Sequence, residues 1–135
     1  MRFYSNLSKL FLENLKQNHH KILCITMPDK IANRGQKLSF SAVKTFSIEK
    51  NIPFIQTQIF DEKIYNEIKT FAADIGVVVS YGKIIPENIF NAPRLKTFNI
   101  HFSLLPKYRG AAPVQYALCN GETETGISVF YLQKE

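Results

Sequence analysis

Only two cysteines, Cys24 and Cys119, occur in 135 residues. They lie far apart, each inside an apolar run, which predicts reduced core thiols rather than a disulfide or a metal pair. A reducing, cytoplasmic setting follows. No apolar run nears the roughly twenty residues that cross a bilayer. The N-terminus carries one Arg followed by polar breaks instead of a signal-peptide core, so no membrane contact is expected. Also missing are a Gly-x-Gly-x-x-Gly fingerprint, a Walker loop and a Cys/His set at metal-ligand spacing. Dinucleotide, nucleoside-triphosphate and zinc chemistry therefore drop out. Internal repeats, low-complexity tracts and linkers are absent too.

What is present has globular proportions. Hydrophobic residues make up 45% and charged residues 21%, which excludes disordered and fibrous classes, and the length suits one domain. Seventeen Lys and Arg against eleven Asp and Glu leave a net charge of +6. That balance favours a polyanionic partner such as nucleic acid, an anionic cofactor or a phosphorylated metabolite, although a basic protein with no such partner fits as well.

Leu7, Leu10, Phe11, Leu12 and Leu15 recur at helical spacing. Residues 21–26 form a short apolar run stopped by Met27, Pro28 and Asp29, which predicts a buried strand. Residues 30–38 are a basic loop without periodicity. Ser39 or Ser41 can cap a helix reaching Glu49, with Val43, Phe46 and Ile48 inward, before a brief strand at 52–55. Asp61 opens a helix carrying Ile64, Tyr65, Ile68 and Phe71, and residues 74–80 are the most strand-like run. A short helix through Ile89 and Phe90, a strand at 97–102, a helix at 111–119 closed by Asn120 and Gly121, and a strand at 125–132 complete the chain. Helices alternating with strands predict a parallel α/β sheet with ligands at the carboxyl ends of its strands. That rule selects the loops after Ser80 and His101.

Asn99 and His101, two apart on one strand, share a face. An amide and an imidazole so placed can polarise a carbonyl and move a proton, a constellation suited to acyl transfer to an amine. The same spacing also serves a core histidine beside an Asn that caps the neighbouring turn. Ser103, Leu104, Leu105 and Pro106 follow, with Pro106 biasing Leu105 towards extended backbone. Lys107 and Arg109 could meet an anionic ligand or stand solvated. Gly110 admits backbone geometry closed to other residues, and Pro113 suits a first helical turn. Adjacent His19 and His20 point in different directions from a helix end and chelate poorly.

The stretches NIHFSLLPKYRGAAPVQ and NGETETGISV, with PDKIANRGQKL and VVVSYGKIIP upstream, resemble the formyltransferase family, and its tRNA-directed members in particular. The resemblance implies a Rossmann-like, mostly parallel sheet flanked by helices, incomplete at both ends. It implies formyl transfer from 10-formyltetrahydrofolate, with no metal, to the α-amine of methionine on initiator tRNA, by a monomeric enzyme of translation initiation. Asn99 and His101 match two of three catalytic residues. Ser103, Leu104, Leu105 and Pro106, with Lys83, Ile84 and Ile85, match the folate site, and Arg34 with Lys37 match the grip on tRNA. The family's opening strand ends in a Gly-Thr-Pro or Gly-Ser-Pro turn, where this chain has MRFYSNLSKLF. The third catalytic residue, an Asp in Leu-Asp-x-Gly-Asp, would fall after Glu135. The expectation is therefore that residues 1–135 form a partial catalytic domain lacking the C-terminal β-barrel domain, with impaired activity. Two other readings stay open: a formyltransferase for an amino-sugar nucleotide or other small amine, and a non-catalytic remnant that binds folate or RNA.

Overall fold

The spacing of the leucines near the N-terminus produces α1 (Arg2–Gln17), which buries Leu12 and leaves Leu10 exposed. The computed structural model describes residues 2–18, 20–31 and 38–134. After α1 come β1 (Cys24–Thr26), β2 (Lys30–Ile31), β3 (Leu38–Ser39), α2 (Ala42–Glu49) and β4 (Phe54–Gln56). Then follow α3 (Glu62–Phe71), β5 (Gly76–Val79), α4 (Glu87–Phe90), β6 (Thr97–His101), α5 (Pro113–Cys119) and β7 (Ser128–Tyr131). No helix among the described residues is long and apolar enough to cross a membrane.

The chain divides into two compact units, Met1–Asp61 and Glu62–Glu135. In the first, β1 and β4 pair in parallel from Cys24 opposite Phe54 to Thr26 opposite Gln56, the crossover running through α2. The basic segment is flanked by an antiparallel rung, β2 with β3. Leu12, Cys24, Phe46 and Ile52 form the core, with Ile22, Val43 and Phe54 against it. Ser41, not Ser39, caps α2: its hydroxyl accepts from the Lys44 amide at 3.1 Å and meets Thr26 Oγ1 at 3.1 Å. Beside it the largely buried Lys44 ammonium pairs with Asp29, whose other oxygen accepts from Gln56 at 2.9 Å.

Two burial expectations are corrected. Ile48 is exposed and Ser47 fully enclosed, because Phe46 and Ile48, two apart on a helix, lie about 200° from each other and cannot share a core face. Cys24 is buried as expected, and burial pushes its thiol up, partly opposed by Ser47. Cys119 is exposed, since α5 turns Pro113 and Ala117 inward and Cys119 falls on its far side.

In the second unit Ile64 and Ile68, one turn apart on α3, and Ile89 and Phe90 on α4 are buried. β6 is central in a sheet ordered β5-β6-β7. β5 and β6 are parallel, with Gly76 opposite Thr97 and Val79 opposite Ile100. β7 runs antiparallel to β6, with His101 opposite Ser128 and Phe98 opposite Tyr131. Alternation of helix and strand predicted parallel pairing here. The difference arises because residues 102–127 make no net crossing of the sheet, so β7 starts beside His101, where β6 stops, and runs back along it.

Candidate active site

β6 places Asn99 between Val78 of β5 and Phe130 of β7, and carries His101 to the strand's carboxyl end beside Ser128. Both side chains face one side of the sheet and both residues are half-buried. Because β5 and β6 are parallel, the loops after Val79 and after His101 leave the same end of the sheet. That end therefore gathers the expected residues of this unit: Asn99, His101, Ser103, Leu104, Leu105 and Pro106 from one strand and loop, Lys83, Ile84 and Ile85 from the other. Arg34 and Lys37 lie outside the described residues, as does His19; His20 is exposed.

These two loops hold unusual backbone. Ser80, Tyr108 and Ala112 adopt left-handed conformations with φ of 55°, 56° and 58°, and Leu105–Pro106 is a cis peptide. Left-handed backbone costs an ordinary side chain on the order of 1–3 kcal/mol and persists only where neighbours hold it. Gly110 at φ 85° relieves one such position, and Pro113 then occupies the first turn of α5.

Four hydrogen bonds made by three side chains tie down the loop after β6. The Ser103 side chain, with no exposed surface, donates to the Lys107 carbonyl at 2.7 Å. Ser128 donates to the Ser103 carbonyl at 2.8 Å and accepts from the Leu105 amide at 3.1 Å, so one hydroxyl brackets the loop on both sides. His101 Nε2 lies 2.8 Å from the Tyr108 carbonyl oxygen. A carbonyl only accepts, so Nε2 carries the proton, leaving Nδ1 a lone pair in the neutral ring and a donor in the charged one. Gly126 packs against the same loop: a methyl group there would come within 2.6 Å of Leu104 Cδ2.

Charge is arranged behind the loop. Tyr108 donates its hydroxyl hydrogen to Glu122 at 2.8 Å and Lys107 donates to the same carboxylate at 3.0 Å. Those two contacts, Tyr108 first, hold the Glu122 carboxyl below the usual carboxylate range, and Glu122 raises the Lys107 ammonium in return. Lys107 and Arg109 are both exposed, and Lys107 is engaged by Glu122. Burial pushes the Tyr81 phenol up. Among the described residues no three His, Cys, Asp or Glu side chains cluster as a metal site would need.

Sequence reasoning missed Ser128, Tyr108 and Glu122. Ser128 could have been noticed as the one small hydroxyl in an otherwise apolar strand, and Glu122 as the acid just past a helix cap. Nothing in spacing joins either to His101: Ser128 comes beside it only because β7 returns antiparallel, and Glu122 reaches it only by way of Tyr108.

The arrangement resembles known proteins in sequence and in fold. A methionyl-tRNA formyltransferase from Endomicrobium trichonymphae is 56% identical over 128 residues, covering 95% of this chain and 41% of the relative. One from Bacteroides thetaiotaomicron is 49% identical over 112 residues, covering 82% of this chain and 34% of the relative. The chain thus spans about two-fifths or less of the length of these curated relatives. Among solved structures, a phosphoribosylglycinamide formyltransferase from Bacillus halodurans superposes with a TM-score of 0.68 at 18% identity, over 90% of this chain and 64% of that one. A formyltetrahydrofolate deformylase from Pseudomonas syringae gives 0.64 at 21% identity, over 97% of this chain and 43% of that one. Those two likenesses speak for the α/β fold. With residues 3–135 matching the family described as formyl transferase, a strand-borne Asn and His at a loop-lined sheet end have their context: the chain belongs to the formyl transferase family.

Proposed function

We propose that this chain carries the formyl-donor side of a site that transfers a formyl group from 10-formyltetrahydrofolate to the α-amine of methionine on initiator tRNA. The observation that carries the reading is the common sheet end reached by His101 and both loops. Identity to methionyl-tRNA formyltransferases supports the tRNA acceptor. The residues present suit a folate: Ile84 is 94% exposed and Leu104 52%, apolar surface offered to solvent on the two loops, and Leu105 is half-buried. Bound there, the folate supplies the formyl group and leaves as tetrahydrofolate.

The residues of the chain then have defined tasks. As the amine adds to the formyl carbon, negative charge develops on the formyl oxygen, and the Asn99 amide donates to it. One such donor is worth about 3 kcal/mol of barrier. His101, its Nε2 proton committed to Tyr108, works through Nδ1, taking a proton from the amine when neutral or donating to the oxygen when charged. Ser103 to Pro106 hold the donor against the strand end. Arg34 and Lys37, in the basic segment, hold the phosphates of the tRNA acceptor end.

The test compares the wild-type chain with His101→Ala and Asn99→Ala, measuring folate binding in the chain and methionyl-tRNA formylation in a fusion to the C-terminal remainder of the Endomicrobium trichonymphae relative. Folate affinity should persist while turnover falls about a hundredfold or more. Retained turnover would sink the reading. Formylation of an amino-sugar nucleotide in place of the tRNA would favour the small-amine acceptor. Folate or RNA binding with no transfer in the wild-type fusion would favour a non-catalytic role.

A further inference from the structure

We infer that Tyr108 and Glu122 are positioning residues for His101; only the catalytic consequence of this rests on the formyl-transfer reading. A histidine at a strand end can rotate about two bonds, and a hydrogen bond to a fixed atom selects one ring orientation and one tautomer. The atom here is the Tyr108 carbonyl oxygen, 2.8 Å from Nε2. What fixes that oxygen is the side chain of the same residue.

The Tyr108 hydroxyl donates to Glu122 Oε1 at 2.8 Å and accepts from Asn120 Nδ2 at 3.2 Å. Glu122 is itself anchored: its carboxylate receives Lys107 Nζ at 3.0 Å and its amide donates to the Ala117 carbonyl at 3.0 Å, at the end of α5. The tyrosine is thus staked at its far end by an acid seated on a helix terminus. Tyr108 needs such a stake, because its backbone sits at φ 56°, where a bulky side chain is at a disadvantage. The Ser103 hydroxyl, donating to the carbonyl of Lys107 next door, secures the same turn from below. Neither Tyr108 nor Glu122 has to touch a substrate to act. They set which imidazole nitrogen is left for chemistry.

The measurement is the pair of His101 ring-nitrogen signals in the 15N-labelled chain, with backbone amide signals of β5, β6 and β7 reporting that the fold persists. In the wild type the neutral ring should hold its proton on Nε2. Tyr108→Phe keeps the ring and loses the stake, and Glu122→Ala loses it from the other side; both should move the signals towards a mixture of tautomers. Glu122→Gln still offers an acceptor to the hydroxyl and should keep the wild-type pattern. In the formylating fusion, Tyr108→Phe should lower kcat about ten- to a hundredfold, with the folate KM changed less than about twofold. Ring signals unmoved in both Tyr108→Phe and Glu122→Ala would overturn the inference. Signals that respond in a protein whose wild type transfers no formyl group would uphold the positioning role and overturn the functional reading instead.

Discussion

Ser128 reaches from the first residue of β7 to Ser103 in the loop beyond β6, donating to its carbonyl oxygen at 2.8 Å while accepting from the Leu105 amide at 3.1 Å. The loop proposed to seat the folate is therefore held by a residue that is remote in sequence. Removing that hydroxyl leaves a donor and an acceptor in a half-buried place, a loss of about 1–3 kcal/mol. Ser128→Ala should lower the urea midpoint and raise the folate KM several-fold, and Ser128→Thr, which keeps the oxygen, should restore both. A KM unchanged in Ser128→Ala would separate this bracket from folate binding.

At the other end of the sheet, Gly76 faces Thr97 across β5 and β6. A methyl group on Gly76 would strike the Thr97 side chain, coming within 2.9 Å of its Cγ2. Gly76→Ala should cost about 1–3 kcal/mol, and adding Thr97→Ala should recover part of it through direct coupling. Strictly additive losses in thermal denaturation would show that the close approach is not what Gly76 is for.

Acid should weaken both units. Asp29 is held below the usual carboxylate range chiefly by the hydrogen bond from Lys44, aided by Gln56, and Glu122 chiefly by the Tyr108 hydroxyl and then by Lys107. A carboxylate depressed in the folded state adds stability that is whole above its unfolded value, about 4, and vanishes as pH falls through the folded value. The urea midpoint should stay level from about pH 7 down to pH 5 and drop below about pH 4. Asp29→Asn should flatten part of that acid limb, and a wild-type midpoint at pH 3 equal to that at pH 7 would contradict the account.

Arg34 belongs to the basic segment matched to the tRNA grip. In the formylating fusion, Arg34→Ala should weaken tRNA binding and reduce its salt slope by about one. Folate affinity should not change. A tRNA affinity and salt slope equal to the wild type's would assign the grip elsewhere.

The legible parts of the fold were those where periodicity and punctuation agree. The apolar run around Asn99 and His101 marked β6, Pro113 and the Asn120-Gly121 pair bounded α5, and Ser41 supplied one of two expected caps. What stayed hidden depends on direction and distance. Alternation along residues 125–132 predicts a strand but not its sense, so the rung between His101 and Ser128, and with it the bracket on the loop, could not be read. Ile48 was expected inward because it is apolar, yet its angular offset from Phe46 decided the matter and Ser47 took the interior place. Cys119 went the same way, its apolar neighbours in sequence not being its neighbours on the helix. The Tyr108–Glu122 pair joins residues fourteen apart through a turn whose geometry no spacing rule encodes.

The antiparallel return of β7 makes residues 102–127 a detour whose two ends are a single ladder rung apart, at His101 and Ser128. The strand carries the imidazole, while the detour carries both the loop proposed to seat the folate and the Tyr108–Glu122 pair that the imidazole leans on. Exchanging that detour between relatives would therefore exchange the hold on His101 along with the loop, so a designer transplanting it must match the rung, the Tyr108 carbonyl and its stake together.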